Sequence, residues 1–152
     1  MIERGVKYRI SGETTAVCVG FAKQQKENLE IPDEISYRKS DYRIKQIAPK
    51  AFYKNKKLKI ITIGRNTEKI GKSAFEQCSS LKKVVFGRKV KVIKEKVFYK
   101  DHSITCLDFR GGRLKTVEAN AFSRGRQKKK VFVPRGVSKR KYYMLLQGSI
   151  KE

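Results

Sequence analysis

Hydrophobic residues recur along this chain with a period of about 23 residues. Each unit opens on Ile or Val, has Ala or Val four residues later, and continues at once with Phe. In the first three units, Leu or Ile follows six residues after the Phe and begins an L-x-x-I-x-I pattern. The four marker residues are Phe52, Phe75, Phe98 and Phe122. This spacing indicates one structural unit used four times.

The second half of each unit alternates apolar and polar residues, which predicts a short strand with one buried face. A unit of this length cannot bury its own apolar face, but stacked units can, because equivalent residues then form continuous internal rows. We expect the Phe row to fill the centre of a coil between two aliphatic or aromatic walls. Those walls are Ile47, Ile70, Ile93 and Val117 on one side, and Ile63, Phe86, Phe109 and Val133 on the other.

The fourth unit departs from the pattern, since Lys128 stands where the earlier units have Leu or Ile. This substitution indicates a degenerate terminal copy. Amphipathic helices are the alternative to strands, because the Phe and the aliphatic residue before it also suit one helical turn. Gly, Ser and β-branched residues in that turn, together with the alternation that follows, favour strands. The predicted fold class is a mainly β, irregular repeat solenoid.

The run from Ile70 to Phe86 reads I-G-K-S-A-F-E-Q-C-S-S-L-K-K-V-V-F and resembles the BspA-type (Treponema pallidum-type) leucine-rich repeat. The resemblance implies a right-handed coil of about four 23-residue repeats, with an N-terminal β cap and a C-terminal short-helix cap. It also implies a non-enzymatic protein, often at a cell surface, that serves adhesion or protein binding. This chain differs from the family pattern in having Lys-rich coils.

The chain is expected to form a single domain over residues 1–152. Residues 1–44 are assigned to the N-terminal cap, 45–133 to the repeats and 134–152 to the C-terminal cap. The N-terminal cap should contain a hairpin of two strands, Val6–Ile10 and Ala16–Gly20. The C-terminal cap should contain a short helix within residues 139–147 that covers the last coil. Its covering side chains would be Tyr142, Tyr143, Leu145 and Leu146.

The formal net charge of +24 is large and unevenly distributed. Residues 1–50 carry a net charge of +3 and residues 51–152 a net charge of +21. Such a field attracts polyanions and keeps a protein soluble, but it does not determine the fold. The density is highest in residues 110–141, which hold twelve basic residues and one acidic residue, Glu118. The basic residues are Arg110, Arg113, Lys115, Arg124, Arg126, Lys128, Lys129, Lys130, Arg135, Lys139, Arg140 and Lys141.

Basic residues also recur at equivalent positions of the repeat, in three groups. They are Lys59, Lys82 and Lys129 near the start of the strand, Lys83 and Lys130 at an outward position on it, and Arg65, Arg88 and Arg135 just after it. Equivalent residues of neighbouring coils lie about 4.8 Å apart, so like charges there repel unless an anion is placed against them. We predict an anion-binding groove formed by these eight residues. The alternative is a basic coat that only discourages edge-to-edge strand pairing.

No constellation of residues predicts catalysis, a metal site or a cofactor. Gly71-Lys72-Ser73 looks like the end of a phosphate-binding loop, but the glycine required five residues earlier is Asn66. The chain has one histidine, His102, which we interpret as a solvated loop residue. Its cysteines, Cys18, Cys78 and Cys106, have no zinc-type spacing and are expected to be free, partly buried thiols.

The sequence therefore favours a non-catalytic, monomeric interaction module that engages an acidic protein or an anionic polymer such as a glycan, teichoic acid or nucleic acid. One alternative is a nucleic-acid-associated protein that contacts the phosphate backbone without sequence preference. Another is a structural repeat segment of a longer surface protein. No apolar run reaches the ~20 residues of a membrane span. The resemblance implies a surface or secreted location. The residues after Met1 lack a signal peptide's apolar region, which would indicate the cytoplasm if Met1 is the native start.

Overall fold

The computed structural model describes residues 1–23, 26–123 and 128–149. Regular structure in this part of the chain consists of short strands followed by one helix. In chain order the elements are β1 (Ile2–Glu3), β2 (Val6–Gly12), β3 (Thr15–Phe21), β4 (Asn28–Ile31), β5 (Glu34–Tyr37), β6 (Ser40–Ile47), β7 (Ile60–Ile63), β8 (Lys69–Ile70), β9 (Lys83–Val85), β10 (Val92–Ile93), β11 (Cys106–Asp108), β12 (Thr116–Val117), β13 (Lys130–Phe132) and α1 (Lys139–Ser149). The predicted mainly β solenoid is confirmed.

The strands form two sheets. The parallel sheet has the order β4-β7-β9-β11-β13, and all its strands run in the same direction. The mixed sheet has the order β1-β2-β3-β6-β8-β10-β12, with β5 paired to β6. Its first strands include the predicted antiparallel hairpin of β2 and β3. Its later strands are parallel and contribute one two-residue strand per coil.

The Phe row lies in the core, as predicted. Phe52, Phe75, Phe98 and Phe122 are at most 2% exposed. Neighbouring rings lie 5.1, 5.4 and 5.0 Å apart between centroids, at interplanar angles of 7°, 4° and 19°. The repeat supplies this stack because each coil places its Phe at the same height. Lys128, in the degenerate copy, is exposed.

The parallel sheet begins earlier than the Phe pattern indicates. Strand β4 pairs in register with β7, with Leu29 opposite Ile61 and Ile31 opposite Ile63. Segment 28–31 therefore forms a first coil of the stack, and the solenoid has about five turns. This coil lacks the Ala-Phe half of the repeat, which is why the Phe pattern does not reveal it. The division into caps and repeats at residues 44 and 133 stays a prediction.

Each coil turns through residues in the left-handed region of backbone space. Lys50, Ser73, Lys96 and Asn120, at one repeat position, have φ between 56° and 57°. Lys54, Gln77 and Lys100, four residues further on, have φ between 58° and 63°. Residues other than glycine adopt such φ values at a cost in free energy. Backbone hydrogen bonds between neighbouring coils hold these turns, as from Phe52 N to Ala74 O at 2.7 Å.

Both ends of the aromatic core are covered. Phe21 of β3 meets Phe52 edge-on at 5.0 Å, and Tyr142 of α1 contacts Phe109 at 5.2 Å. In the predicted C-terminal helix, Tyr142 and Leu146 are buried and Leu145 is half-buried. The prediction that Tyr143 covers the coil is wrong, because this side chain is 38% exposed. Consecutive residues of an α-helix are rotated by about 100° about its axis, so Tyr143 lies off the face that Tyr142 and Leu146 share.

A second internal row lies beside the Phe row and carries polar groups. It consists of Asn55, Cys78 and Asp101, spaced by 23 residues and at most 2% exposed. The Asn55 side-chain oxygen accepts hydrogen bonds from the Lys57 and Leu58 amides, both at 2.9 Å. The Asp101 carboxylate accepts one from the Cys78 amide at 2.7 Å. Burial raises the pKa of Asp101 to about 9. The row therefore satisfies turn amides within the core.

Candidate polyanion-binding face

The outward positions of the parallel sheet form two rows that cross its strands. One row contains Asn28, Ile60, Lys83, Cys106 and Lys130. The other contains Glu30, Thr62, Val85, Asp108 and Phe132. We call this outward surface, with the residues just before and after its strands, the strand face. The predicted outward positions of Lys83 and Lys130 lie on it in one row, separated by the half-buried Cys106.

The lysines that precede the strands form a less continuous row than the sequence spacing indicates. Backbone hydrogen bonds connect Lys59 to Lys82 at 2.8 Å and Lys82 to Thr105 at 2.9 Å. The Lys130 amide then bonds to Thr105 O at 2.8 Å, which places Lys129 one coil beyond Thr105. Thr105 therefore separates Lys82 from Lys129.

The arginines that follow the strands are interrupted in the same coil. The strand register aligns Arg65 with Arg88, and places Gly111 between Arg88 and Arg135. Arg88 and Arg135 are both exposed. The structure thus brings the predicted residues onto one face but leaves a gap in each row at the third Phe-marked unit.

The first coil neutralises two of the eight predicted residues. Lys59 forms an ion pair with Glu27 at 2.9 Å, and Arg65 forms one with Asp33 at 2.6 Å. Burial opposes ionisation of Asp33, but the hydrogen bonds and charge of Arg65 outweigh it and lower the pKa of Asp33. Both carboxylates come from the segment around β4, so the strand face is acidic at its start and basic further along.

Lys129 is held differently from the other predicted residues. Its ammonium group donates a hydrogen bond to the Ser123 carbonyl at 3.1 Å and is half-buried. Burial lowers the pKa of Lys129. Five predicted residues remain that form no ion pair within the described part of the chain. They are Lys82, Lys83, Arg88, Lys130 and Arg135.

The mixed-sheet side of the coil contrasts with the strand face, because its lysines meet carboxylates of neighbouring coils. Glu68 pairs with Lys45 at 2.5 Å and with Lys91 at 3.6 Å. The hydrogen bond from Lys45 is the main reason why the pKa of Glu68 is lowered. Glu95 and Glu118 likewise have lysine partners. Five lysines of the mixed-sheet side thus share three glutamates, whereas five of the predicted cations on the strand face have no carboxylate partner among the described residues.

A concave pocket of about 520 Å³ adjoins the C-terminal end of the strand face. Its basic lining residues are Arg88, Arg110, Arg113, Lys115, Arg135 and Lys141. The repeat rows predict only Arg88 and Arg135 among them, because the other four lie off the repeat positions. In the sequence, only the high density of basic residues between positions 110 and 141 indicates that these four could belong to the site. Arg124 and Arg126, which belong to that run, lie outside the described residues.

The described residues contain no group of three or more His, Cys, Asp or Glu side chains placed to hold a metal ion. Cys18 and Cys78 are buried free thiols, and Cys106 is a half-buried one. Burial raises the pKa of Cys18 to about 12, so this thiol stays protonated at neutral pH. Among the described helices, none has the length and apolar character needed to cross a membrane.

The comparisons with known proteins agree on the fold. The family model described as "BspA type Leucine rich repeat region" matches residues 45–152 in six copies. No curated protein matches the chain significantly in sequence.

Solved structures give the same result. A leucine-rich cell surface protein from Faecalibacterium prausnitzii is 21% identical with a TM-score of 0.73, over 91% of this chain and 37% of that one. A T. pallidum leucine-rich repeat protein is 19% identical with a TM-score of 0.71, over 81% and 55%. A Bacteroides ovatus leucine-rich repeat protein is 21% identical with a TM-score of 0.68, over 88% and 41%. The chain thus spans about half or less of the length of these three proteins.

Proposed function

The chain belongs to the BspA-type leucine-rich repeat family, and on that premise we propose that it is a non-catalytic interaction module whose strand face binds an acidic protein or an anionic polymer. The observation that carries this proposal is the unequal neutralisation of the two sides of the coil. Lysines of the mixed-sheet side have Glu68, Glu95 and Glu118 as partners. On the later coils of the strand face, no such partner is found among the described residues for Lys82, Lys83, Arg88, Lys130 and Arg135.

The geometry of these cations suits an extended ligand. Lys83 and Lys130 lie two strands apart in one row, as do Arg88 and Arg135 in another. With ~4.8 Å between strands, each pair spans about 10 Å. A linear anion that crosses the strands would meet a cation of each row at that interval. Binding would also relieve the repulsion between the like charges, so it should weaken steeply as salt is added.

Cys106 provides a direct test, because it lies between Lys83 and Lys130 and is the only thiol of the three that is not buried. Iodoacetamide should modify Cys106 selectively in the folded protein. Heparin and poly-L-glutamate, used as probes at about 50 mM salt, should slow this modification several-fold, as measured by mass spectrometry. Unchanged modification with both polymers would refute binding on the strand face.

Charge reversal separates the strand face from the overall field of the protein. One variant carries Lys82→Glu, Arg88→Glu, Lys130→Glu and Arg135→Glu. The matched control reverses four exposed residues of the N-terminal cap, Lys7, Arg9, Arg38 and Lys39. Only the first variant should lose heparin or polyglutamate binding in a titration, with unchanged circular dichroism for both. Equal losses would mean that net charge alone drives binding.

A second candidate, single-stranded nucleic acid, rests on an aromatic cleft at the end of the sheet. The cleft, of about 400 Å³, is lined by Phe132, Tyr143 and four lysines. The Phe132 and Tyr143 rings are 41% and 38% exposed, and exposed rings between lysines suit base stacking with phosphate contacts. Preference for single-stranded over duplex DNA, lost in Phe132→Ala, would favour this candidate. Equal binding of single-stranded DNA, duplex DNA and heparin would favour the first candidate, a general polyanion-binding face.

A further inference from the structure

We propose that the pocket at the C-terminal end of the strand face binds a compact oxyanion, namely a phosphate or sulfate ester group. This inference deepens the proposed function, on which it rests, by naming the ligand chemistry that one part of the surface would take. Six basic residues line the pocket, and its volume of about 520 Å³ lies within the range of small-ligand sites.

The lining has almost no negative charge to balance those six residues. Asp108, on the neighbouring strand β11, lies beside the pocket and pairs with Arg110 at 2.5 Å. Within the described residues, Arg88, Arg113, Lys115, Arg135 and Lys141 form no ion pair. Concave sites concentrate the field of their charges, so an oxyanion is attracted more strongly here than on a flat basic surface.

Arg110 is positioned by contacts on two sides. Its guanidinium group is hydrogen-bonded to both Asp108 carboxylate oxygens, and it lies 5.0 Å from the centre of the Phe132 ring. A guanidinium group held in this way loses little freedom when it donates its remaining N–H groups to a phosphate or sulfate. Arg110 therefore forms a fixed wall of the pocket.

Gly111 opens the pocket between Arg88 and Arg135. A Cβ atom at Gly111 would come no closer than 3.9 Å to any other residue's atoms, the nearest being Arg88 Cα, and its backbone lies outside the positive-φ range. Neither the packing nor the backbone conformation of this position requires glycine. The absence of a side chain leaves a hollow in the arginine row, and a larger side chain would fill it.

Helix α1 adds one cation to the pocket. Its first turn contains Lys139, Arg140 and Lys141 and no acidic residue. The amino end of a helix carries a partial positive charge and favours carboxylates or bound anions, so three cations there are unfavourable. Lys141 is the one that lines the pocket. A bound oxyanion would offset this unfavourable placement of the Lys141 charge.

Calorimetric titration with inorganic tripolyphosphate at about 20 mM salt tests the proposal. We expect one tripolyphosphate per chain, and a loss of affinity of about tenfold or more in Arg88→Gln/Arg135→Gln, because charge-assisted hydrogen bonds are removed. The matched control, Lys56→Gln/Lys57→Gln, removes two exposed charges elsewhere and should change affinity less than about twofold. No binding, or equal losses in both variants, would overturn the proposal.

Substitutions of Gly111 test the hollow itself. Gly111→Ala should keep the melting temperature and the affinity for tripolyphosphate, whereas Gly111→Glu should keep the melting temperature and lose binding. Binding retained in Gly111→Glu would overturn the assignment to this pocket. If heparin still protects Cys106 but tripolyphosphate does not bind, the pocket assignment is refuted and the proposed function stands. Failure of both would refute both.

The source of the oxyanion is distinguished by competition. A 5′-phosphorylated oligonucleotide that displaces tripolyphosphate better than its unphosphorylated form would indicate a terminal phosphate. A sulfated heparin disaccharide that competes equally well would indicate a sulfate ester. Competition by neither would overturn the assignment to a phosphate or sulfate ester.

Discussion

Replacement of Asp101 by Asn should stabilise this protein, and the gain should grow with pH. Asp101 is 1% exposed, one carboxylate oxygen has no hydrogen-bond partner, and burial raises its pKa from 3.8 to about 9. At neutral pH the folded protein therefore holds this carboxyl protonated, whereas the unfolded chain holds it ionised. Asn keeps the oxygen that accepts from the Cys78 amide and removes the ionisable group. Asn55 already occupies the equivalent position of an earlier coil.

The magnitude follows from the proton that the carboxyl takes up on folding. Between the unfolded pKa of 3.8 and the folded value of about 9, stability falls by about 1.4 kcal/mol per pH unit. Below pH 4 this loss is absent, and above pH 9 it is complete. Asp101→Asn should therefore gain up to about 2 kcal/mol at pH 5 and up to about 4 kcal/mol at pH 7.

Urea denaturation of both proteins at pH 5 and pH 7 measures this difference. Asp33→Asn is the matched control, because Arg65 lowers the pKa of Asp33 and leaves that carboxyl ionised in the folded protein at both pH values. Its loss of stability should therefore be nearly the same at pH 5 and pH 7. An Asp101→Asn gain that did not change between the two pH values would refute the reasoning, because it would mean that the folded protein keeps Asp101 ionised.

Two further predictions concern the repeat itself. Phe75→Ala should lower the free energy of unfolding by about 3–5 kcal/mol, because the ring is fully buried between Phe52 and Phe98. Phe132→Ala, at an exposed ring, should cost less than about 1 kcal/mol in the same urea titration, and equal costs would contradict the stacked core. Lys54→Val should cost about 1–2 kcal/mol more than Lys56→Val, because only Lys54 has a positive φ, of 58°, at which a β-branched residue is more strained than lysine. Thermal melting that ranked the two Val variants equally would contradict a strained turn.

Much of the candidate site could be predicted from residue spacing. Counting from each Phe placed Lys83 and Lys130 at one repeat position and Arg88 and Arg135 at another, and the strand register puts each pair in one row. The sequence also shows where the rows are interrupted, because Thr105 and Gly111 stand at the positions equivalent to Lys82 and Arg88. The pairing of Lys59 with Glu27 and of Arg65 with Asp33 could not be predicted, because these carboxylates lie in the first coil, whose strand lacks the Phe marker.

The sequence by itself determined the period, the buried rows and the solenoid, because the alternation that buries a strand face is a local property repeated in every unit. The tertiary structure decided which cations remain unneutralised, because six of the eight ion pairs among the described residues join partners 23 to 32 residues apart along the chain. It also decided the pocket, which needs the arginine rows and the start of α1 on one side. Spacing predicts which residues stack upon one another, but charge balance and concavity depend on which coils and caps meet in space.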